Sequence, residues 1–204
     1  YQSLHQAIQW RFIKKILGRI EDGGMLIEEE EWSEVQKIYK ELHQASASFL
    51  LGLTHGVWVE KRYDTVLLAK GEVKPIPPFE VELTSPGCTF IEEIGKEVVT
   101  EEADRDKFRN YDGPPNTALI DYGRLQFPLK MRNFRPGDRF HPLGAKGTQK
   151  LKNFFIDHKV PRFERPKIPL LISGDVIAWI VGYRIDERVK VTEKTKKVLV
   201  LKVV

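Results

Sequence analysis

The residues best suited to do chemistry lie between Arg132 and Arg165. Arg135-Pro136-Gly137-Asp138 has the composition of a tight turn, with proline fixing φ and glycine accepting a positive one. Such a turn holds Arg135 and Arg139 near one another. Gly144, Gly147 and Thr148 follow as a small-residue loop, and Leu151, Phe154 and Phe155 predict a helix over Thr148–His158. Backbone N–H groups and the positive end of the dipole at a helix start favour an anion. Lys146, Lys150 and Lys152 crowd that start. Each opposes the dipole by about 0.3–1 kcal/mol, a cost that a bound phosphate backbone would relieve. Arg162 and Arg165 sit on the proline-stiffened segment Lys159–Pro166, and arginine suits bidentate phosphate contact. Arg132, Arg184 and Arg188 are possible additions, although Asp186 and Glu187 stand ready to pair with the last two. Phe163 has the chemistry to stack on a base, but packing into the core is the expected role. Trp179 is expected in the core.

Other chemistry is missing. No phosphate-binding loop of the G-x-x-x-x-G-K-[ST] type and no G-x-G-x-x-G occurs. His5, His43, His55, His141 and His158 are scattered, without metal-ligand spacing, so no metal site is expected. No nucleophile elbow accompanies a Ser-His-Asp set. Cys88, the one cysteine, stands before Thr89-Phe90-Ile91 and reads as a buried structural thiol. It has no internal disulfide partner, which suits a reducing, cytosolic setting. No apolar run reaches membrane-spanning length.

The elements that must position these residues divide the chain. Ile8, Phe12, Ile16 and Ile20, with Ile13 and Leu17 beside them, predict a helix stopped by Asp22-Gly23-Gly24. A second helix is expected to start at the capping box Ser33-Glu34-Val35-Gln36 and to bury Val35, Ile38, Tyr39 and Leu42. Runs flanking Asp64 predict a β-hairpin. Lys74-Pro75-Ile76-Pro77-Pro78 reads as a boundary, giving a helical domain over 1–75 and a β-rich domain over 76–204. Strands are expected at 79–83, 89–91, 97–100, 118–122, 125–131, 176–181 and 197–203, with 101–112 as a charged loop. The class is α+β: a small helical domain with a hairpin, then a mixed β-rich domain with one well-defined helix.

Charge follows the same division. Residues 1–127 carry 15 Lys+Arg against 22 Asp+Glu, a balance of −7, while residues 128–204 carry 18 against 7, or +11. A basic end on an acidic front suggests a polyanionic partner for that end. The start at Tyr1, without Met, reads as a fragment of a longer chain.

Arg135-Pro136-Gly137-Asp138-Arg139, Gly144-x-x-Gly147, Lys150-Leu151-Lys152-Asn153-Phe154-Phe155, Lys159-Val160-Pro161-Arg162 and Gly174-Asp175-x-Ile177-x-Trp179-x-x-Gly182 occur in this order. That series resembles the C-terminal domain of the bacterial tRNA(Ile)-lysidine synthetases. The helical pair and the Arg62-Tyr63-Asp64 hairpin are similar to that family's intermediate domain. The resemblance implies an enzyme that uses ATP, with Mg, to join lysine to C2 of the wobble cytidine of tRNA(Ile). That chemistry belongs to an N-terminal domain carrying an S-G-G-x-D-S loop. The nearest string here, Ser173-Gly174-Asp175, lacks it, so no catalytic residue and no cofactor is assigned to this chain. The implied partners are tRNA(Ile), gripped at its acceptor stem, and the protein's own catalytic domain; a homodimer is possible. The resemblance assigns tRNA contact to Arg135, Arg139, Lys146, Lys150, Lys152, Arg162 and Arg165, with Asp138 orienting the arginines. The last domain is also similar to a module of the phenylalanyl-tRNA synthetase β subunit. Two other readings stay open: a self-contained enzyme built on Asp138, His141 and Asp175, and a scaffold or dimerisation domain.

Overall fold

The computed structural model of the chain describes residues 3–20, 29–44, 48–71, 75–108 and 113–204. Asp22-Gly23-Gly24, Lys74, Asp112 and the side chain of Ile20 lie outside that set. The chain is α+β and β-rich, and it forms two compact units: residues 1–75 with Pro161–Phe163, and residues 76–160 with 164–204.

The first unit pairs α1 (Gln6–Ile20) with α2 (Glu29–His43), followed by β1 (Ser48–Gly52), β2 (Val57–Arg62) and β3 (Thr65–Lys70). The three strands form one antiparallel sheet in the order β1-β2-β3. Two apolar rows run along α1, and the sequence does not say which faces inward. Ile13 and Leu17 are buried, whereas Ile8 and Phe12 are 50% and 52% exposed, so the expected stripe is rotated by about one position. The capping box also moves: Ser33 lies four residues inside α2, which starts at Glu29. Val35, Ile38 and Leu42 close this core against Val57 and Val59, with Tyr39 half-buried beside them.

The second unit contains β4 (Glu80–Glu82), β5 (Gly87–Ile91), β6 (Lys96–Asp104), β7 (Thr117–Asp121) and β8 (Leu129–Arg132). Next come β9 (Arg139–Phe140), β10 (Gln149–Lys150), α3 (Leu151–Asp157), β11 (Leu170–Ser173), β12 (Val176–Ile180), β13 (Arg184–Ile185) and β14 (Lys197–Val203). A five-stranded sheet runs β13-β12-β11-β8-β4 and a four-stranded one β5-β6-β14-β7, every pairing antiparallel. Their inner faces share one core, where Ile91, Val98, Ile120 and Leu199 meet Met131, Leu171 and Trp179. Trp179 is 2% exposed, as its apolar surroundings in the sequence predict.

Strands β11 and β12 are buried on both faces. Leu170, Ile177 and Ile180 turn away from the sandwich core and receive Phe140, Leu151, Phe154, Phe155 and Val160. Successive side chains of a strand point to opposite faces, so a run apolar at nearly every position, such as Val176–Ile180, serves two cores at once. This second core fixes α3 and the short strands beside it.

Three expectations are corrected here. Glu101–Asp104 are not loop but the end of β6, paired with β14 from Glu101↔Val200 to Asp104↔Lys197. Their charge marks a solvated strand edge and face, while Ala103 points inward. The helix expected over Thr148–His158 shrinks to the seven residues of α3, because Gln149 and Lys150 pair with Phe140 and Arg139. Cys88 is exposed, since β5 alternates and puts Ile91, not Cys88, into the core.

Candidate nucleic-acid interface

The Arg135–Asp138 turn forms, with the Asp138 N–H donating to the Arg135 carbonyl at 3.2 Å and Gly137 at φ 94°. Asp138 then does more than turn the chain. Its carboxylate accepts two hydrogen bonds from the Arg132 guanidinium, at 2.8 and 2.9 Å, and a third from the Arg135 N–H at 2.8 Å. The Arg132 side chain is only 11% exposed, so this arginine is an internal strut and not a free contact. Its carbonyl neighbour Asn133 takes a further donation at 2.9 Å.

Immediately after the turn, β9 and β10 pair through Arg139↔Lys150 and Phe140↔Gln149. Arg139 and Lys150 are therefore direct cross-strand neighbours, and both are exposed. Like charges placed opposite one another on a ladder repel. Among the described residues no carboxylate answers either; Arg139 reaches only the Thr148 hydroxyl, at 3.5 Å. Lys146 in the connecting loop and Lys152 in the first turn of α3 are likewise exposed and without an acidic partner among the described residues.

The loop between the strands is pinned rather than free. The Asp186 carboxylate, fully buried, accepts from the His141 N–H at 2.8 Å, and Glu187 accepts from the Gly144 N–H at 2.9 Å. Burial pushes the Asp186 carboxyl up, but hydrogen bonds from the Arg188 guanidinium and from the His141 and Arg188 N–H groups outweigh it and hold it below its ordinary value. Glu187 is held down by its hydrogen bond from Lys190, with help from Gly144. The loop carrying Lys146 thus hangs from a fixed acidic hook.

The remaining sequence candidates separate. Arg135 pairs with Glu80 at 2.8 Å while keeping half its side chain exposed. Lys130 binds the same carboxylate at 3.0 Å, and this bond, opposed by burial and assisted by Arg135, lowers the Glu80 pKa. Arg165 donates twice to the Val160 carbonyl, both at 3.2 Å, and lies 5.8 Å from the Phe155 ring centre. Arg188 is locked onto Asp186, and Arg184 reaches the Leu143 carbonyl at 3.3 Å. Arg162 is exposed and belongs to the three residues grouped with the first unit, as does Phe163, half-buried with the Arg62 guanidinium 5.9 Å from its ring centre.

No hydrogen bond joins any two of Asp138, His141 and Asp175. Asp138 is spent on Arg132, the His141 ring bonds the Ala145 carbonyl at 2.8 Å, and Asp175 is exposed in the turn between β11 and β12. Ser173-Gly174-Asp175 is that turn: Ser173 pairs with Val176, and Gly174 takes φ 55° with the Gln126 amide where a Cβ would stand. Among the described residues no three His, Cys, Asp or Glu side chains gather as a metal site.

Residues 129–202 match the model of the TilS substrate C-terminal domain. The tRNA(Ile)-lysidine synthase of Caldanaerobacter subterraneus subsp. tengcongensis is 34% identical over 202 residues, 98% of this chain and 42% of that protein. The synthase of Dehalococcoides mccartyi is 31% identical over 202 residues, 97% and 42% of the two chains. A crystal structure of a TilS C-terminal domain superposes with TM-score 0.55 and 25% identity, covering 62% of this chain and 96% of that one. This chain belongs to the tRNA(Ile)-lysidine synthase family. It spans 42% of the length of these two synthases.

The span matched to the synthase domain contains Arg139, Lys146, Lys150 and Lys152, together with the acidic hook. Two features of this synthase-family chain escaped the sequence reading. The β9–β10 pair was hidden because two-residue strands leave no period; only Phe140 and Gln149 flanking a glycine loop hint at it. Asp186 looked like a surface partner for arginine, and its burial came from the Pro142↔Asp186 bridge that folds the loop onto β13.

Proposed function

We propose that this chain is the tRNA-gripping portion of a tRNA(Ile)-lysidine synthase. It holds the acceptor stem of tRNA(Ile) through Arg139, Lys146, Lys150 and Lys152, with Arg135 as a further contact. The ligation of lysine to C2 of the wobble cytidine, with ATP and Mg, takes place in a catalytic domain elsewhere in the full-length protein. The setting is the cytoplasm; no helix among the described residues is long and apolar enough to cross a membrane.

One observation carries the reading: Arg139 and Lys150 stand directly opposite in a two-stranded ladder with no carboxylate between them. A fold gains nothing by holding two cations so. A phosphate between them turns repulsion into two charge-assisted bonds. The struts beside them, Arg132–Asp138 and Arg188–Asp186, keep the surrounding carboxylates occupied, so the free cations are not quenched.

Filter binding of tRNA(Ile) and of a non-cognate tRNA across a salt series tests this. Affinity should fall steeply with salt as counterions are released. Lys150→Glu with Lys152→Glu should lower affinity at least tenfold and flatten the salt slope by about one unit per lysine. Unchanged affinity would sink the surface. Incubation of the chain with ATP, lysine and tRNA should yield no lysidine; its formation would locate the chemistry here instead.

A further inference from the structure

Beside the free cations lies a feature that phosphate binding does not use. We propose that His158 and Tyr183 form a stacking platform for an unpaired nucleobase of the bound RNA, adjoining the cations that hold its backbone. The proposal rests on the RNA-binding reading above and extends it from backbone to base.

Lys150 ends β10 directly before α3, Phe154 lies within the helix, and His158 caps its C-terminus four residues later. Phe154 is buried and edges onto Phe140, the strand neighbour of Arg139, with ring centres 4.9 Å apart. The His158 ring lies over Phe154 at 3.9 Å and 30°, its Nδ1 against the Phe154 carbonyl at 2.9 Å. His158 as a residue is exposed. Tyr183 closes the corner at 86° to His158, with centres 5.8 Å apart, and edges onto Phe154 and Phe155 at 6.0 and 6.3 Å. Its side is 40% exposed, and its hydroxyl has no hydrogen-bond partner among the described residues.

Two ring faces meeting nearly at right angles make a corner that fits a flat aromatic group on one face and its edge on the other. The same buried phenylalanines hold both the corner and the Arg139–Lys150 pair, so both are rigidly placed. Lys150 and His158 bracket the seven residues of α3, which set their backbones about 12 Å apart at the helical rise. A strand whose phosphates sit on the cations therefore carries its next bases past the rings. Double-helical bases are stacked inside and offer no free face, so the ligand of this corner is a nucleotide beyond the end of a stem or in a bulge.

The test compares a blunt RNA stem with the same stem carrying a short single-stranded 3′ extension, each titrated with the 204-residue chain. The extended RNA should bind tighter. Tyr183→Ala should remove about tenfold of that advantage, in the range of one lost base stack, with no change in blunt-stem affinity or salt slope. Tyr183→Phe, which keeps the ring, should retain it. A 2-aminopurine in the extension should lose fluorescence on binding the unaltered chain, a readout independent of whether the alanine variant folds. Equal affinity for the two RNAs, or an unquenched 2-aminopurine, overturns the platform and leaves the cationic surface standing. Failure of the blunt stem to bind overturns that surface instead.

Discussion

Asp138 shows how one carboxylate both shapes a turn and disposes of a buried charge. Replacing it with Ala strands the Arg132 guanidinium, 11% exposed, without a counter-ion. The expected cost is about 3 kcal/mol, measured as a lower urea midpoint, with the RNA salt slope unaltered. Asp186 is expected to respond to acid. Its folded pKa is lowered from 3.8, so its contribution is complete above that value and is lost as pH falls through the folded one. The Tm difference between the wild type and Asp186→Asn should therefore hold from neutral pH to about pH 4 and shrink below it. The sequence revealed which residues were cationic, and the turn that joins Arg135 to Asp138. It did not reveal which cations were internal. Arg132 and Lys150 look alike on paper, and only the partner six residues away from Arg132 separates strut from free contact.

The β9–β10 pair is an element arranged against its own stability. Arg139→Gln should remove the cross-strand repulsion and raise the urea-derived stability of the unbound chain by about 0.5 kcal/mol, while weakening tRNA binding. A variant that loses both would show that Arg139 has a packing role instead. Helices and longer strands were legible because each buries a face long enough to imprint a period. The short pieces were not: β9, β10 and β13 each have two residues, and tertiary bonds, not patterning, create them. The same reason explains α3, whose first turn was expected at Thr148. The Leu151 N–H donates to the Asp138 carbonyl at 2.8 Å, and that bond sets the start.

At the scale of the molecule, the excess of basic residues after position 127 coincides with the part that carries the free cations, yet the charge count overstates the number of unpaired cations there. Arg132, Arg188 and Lys190 spend their charge on Asp138, Asp186 and Glu187. The acidic run Glu101–Asp104 was legible as charge but read as loop, because β6 displays Glu101 and Asp104 outward from a buried ladder. That ladder also brings Cys88 to the surface, on the sheet that holds neither the β9–β10 pair nor α3. As the chain's one thiol, it accepts a single maleimide dye at a defined position. Its hydrogen bond to Glu97, with burial and the nearby negative charge, raises its pKa, so coupling should run slower at neutral pH than with a free thiol and quicken as pH rises. A fluorophore there follows the tumbling of the whole particle without blocking the cations, and its anisotropy reads RNA capture with the native surface untouched.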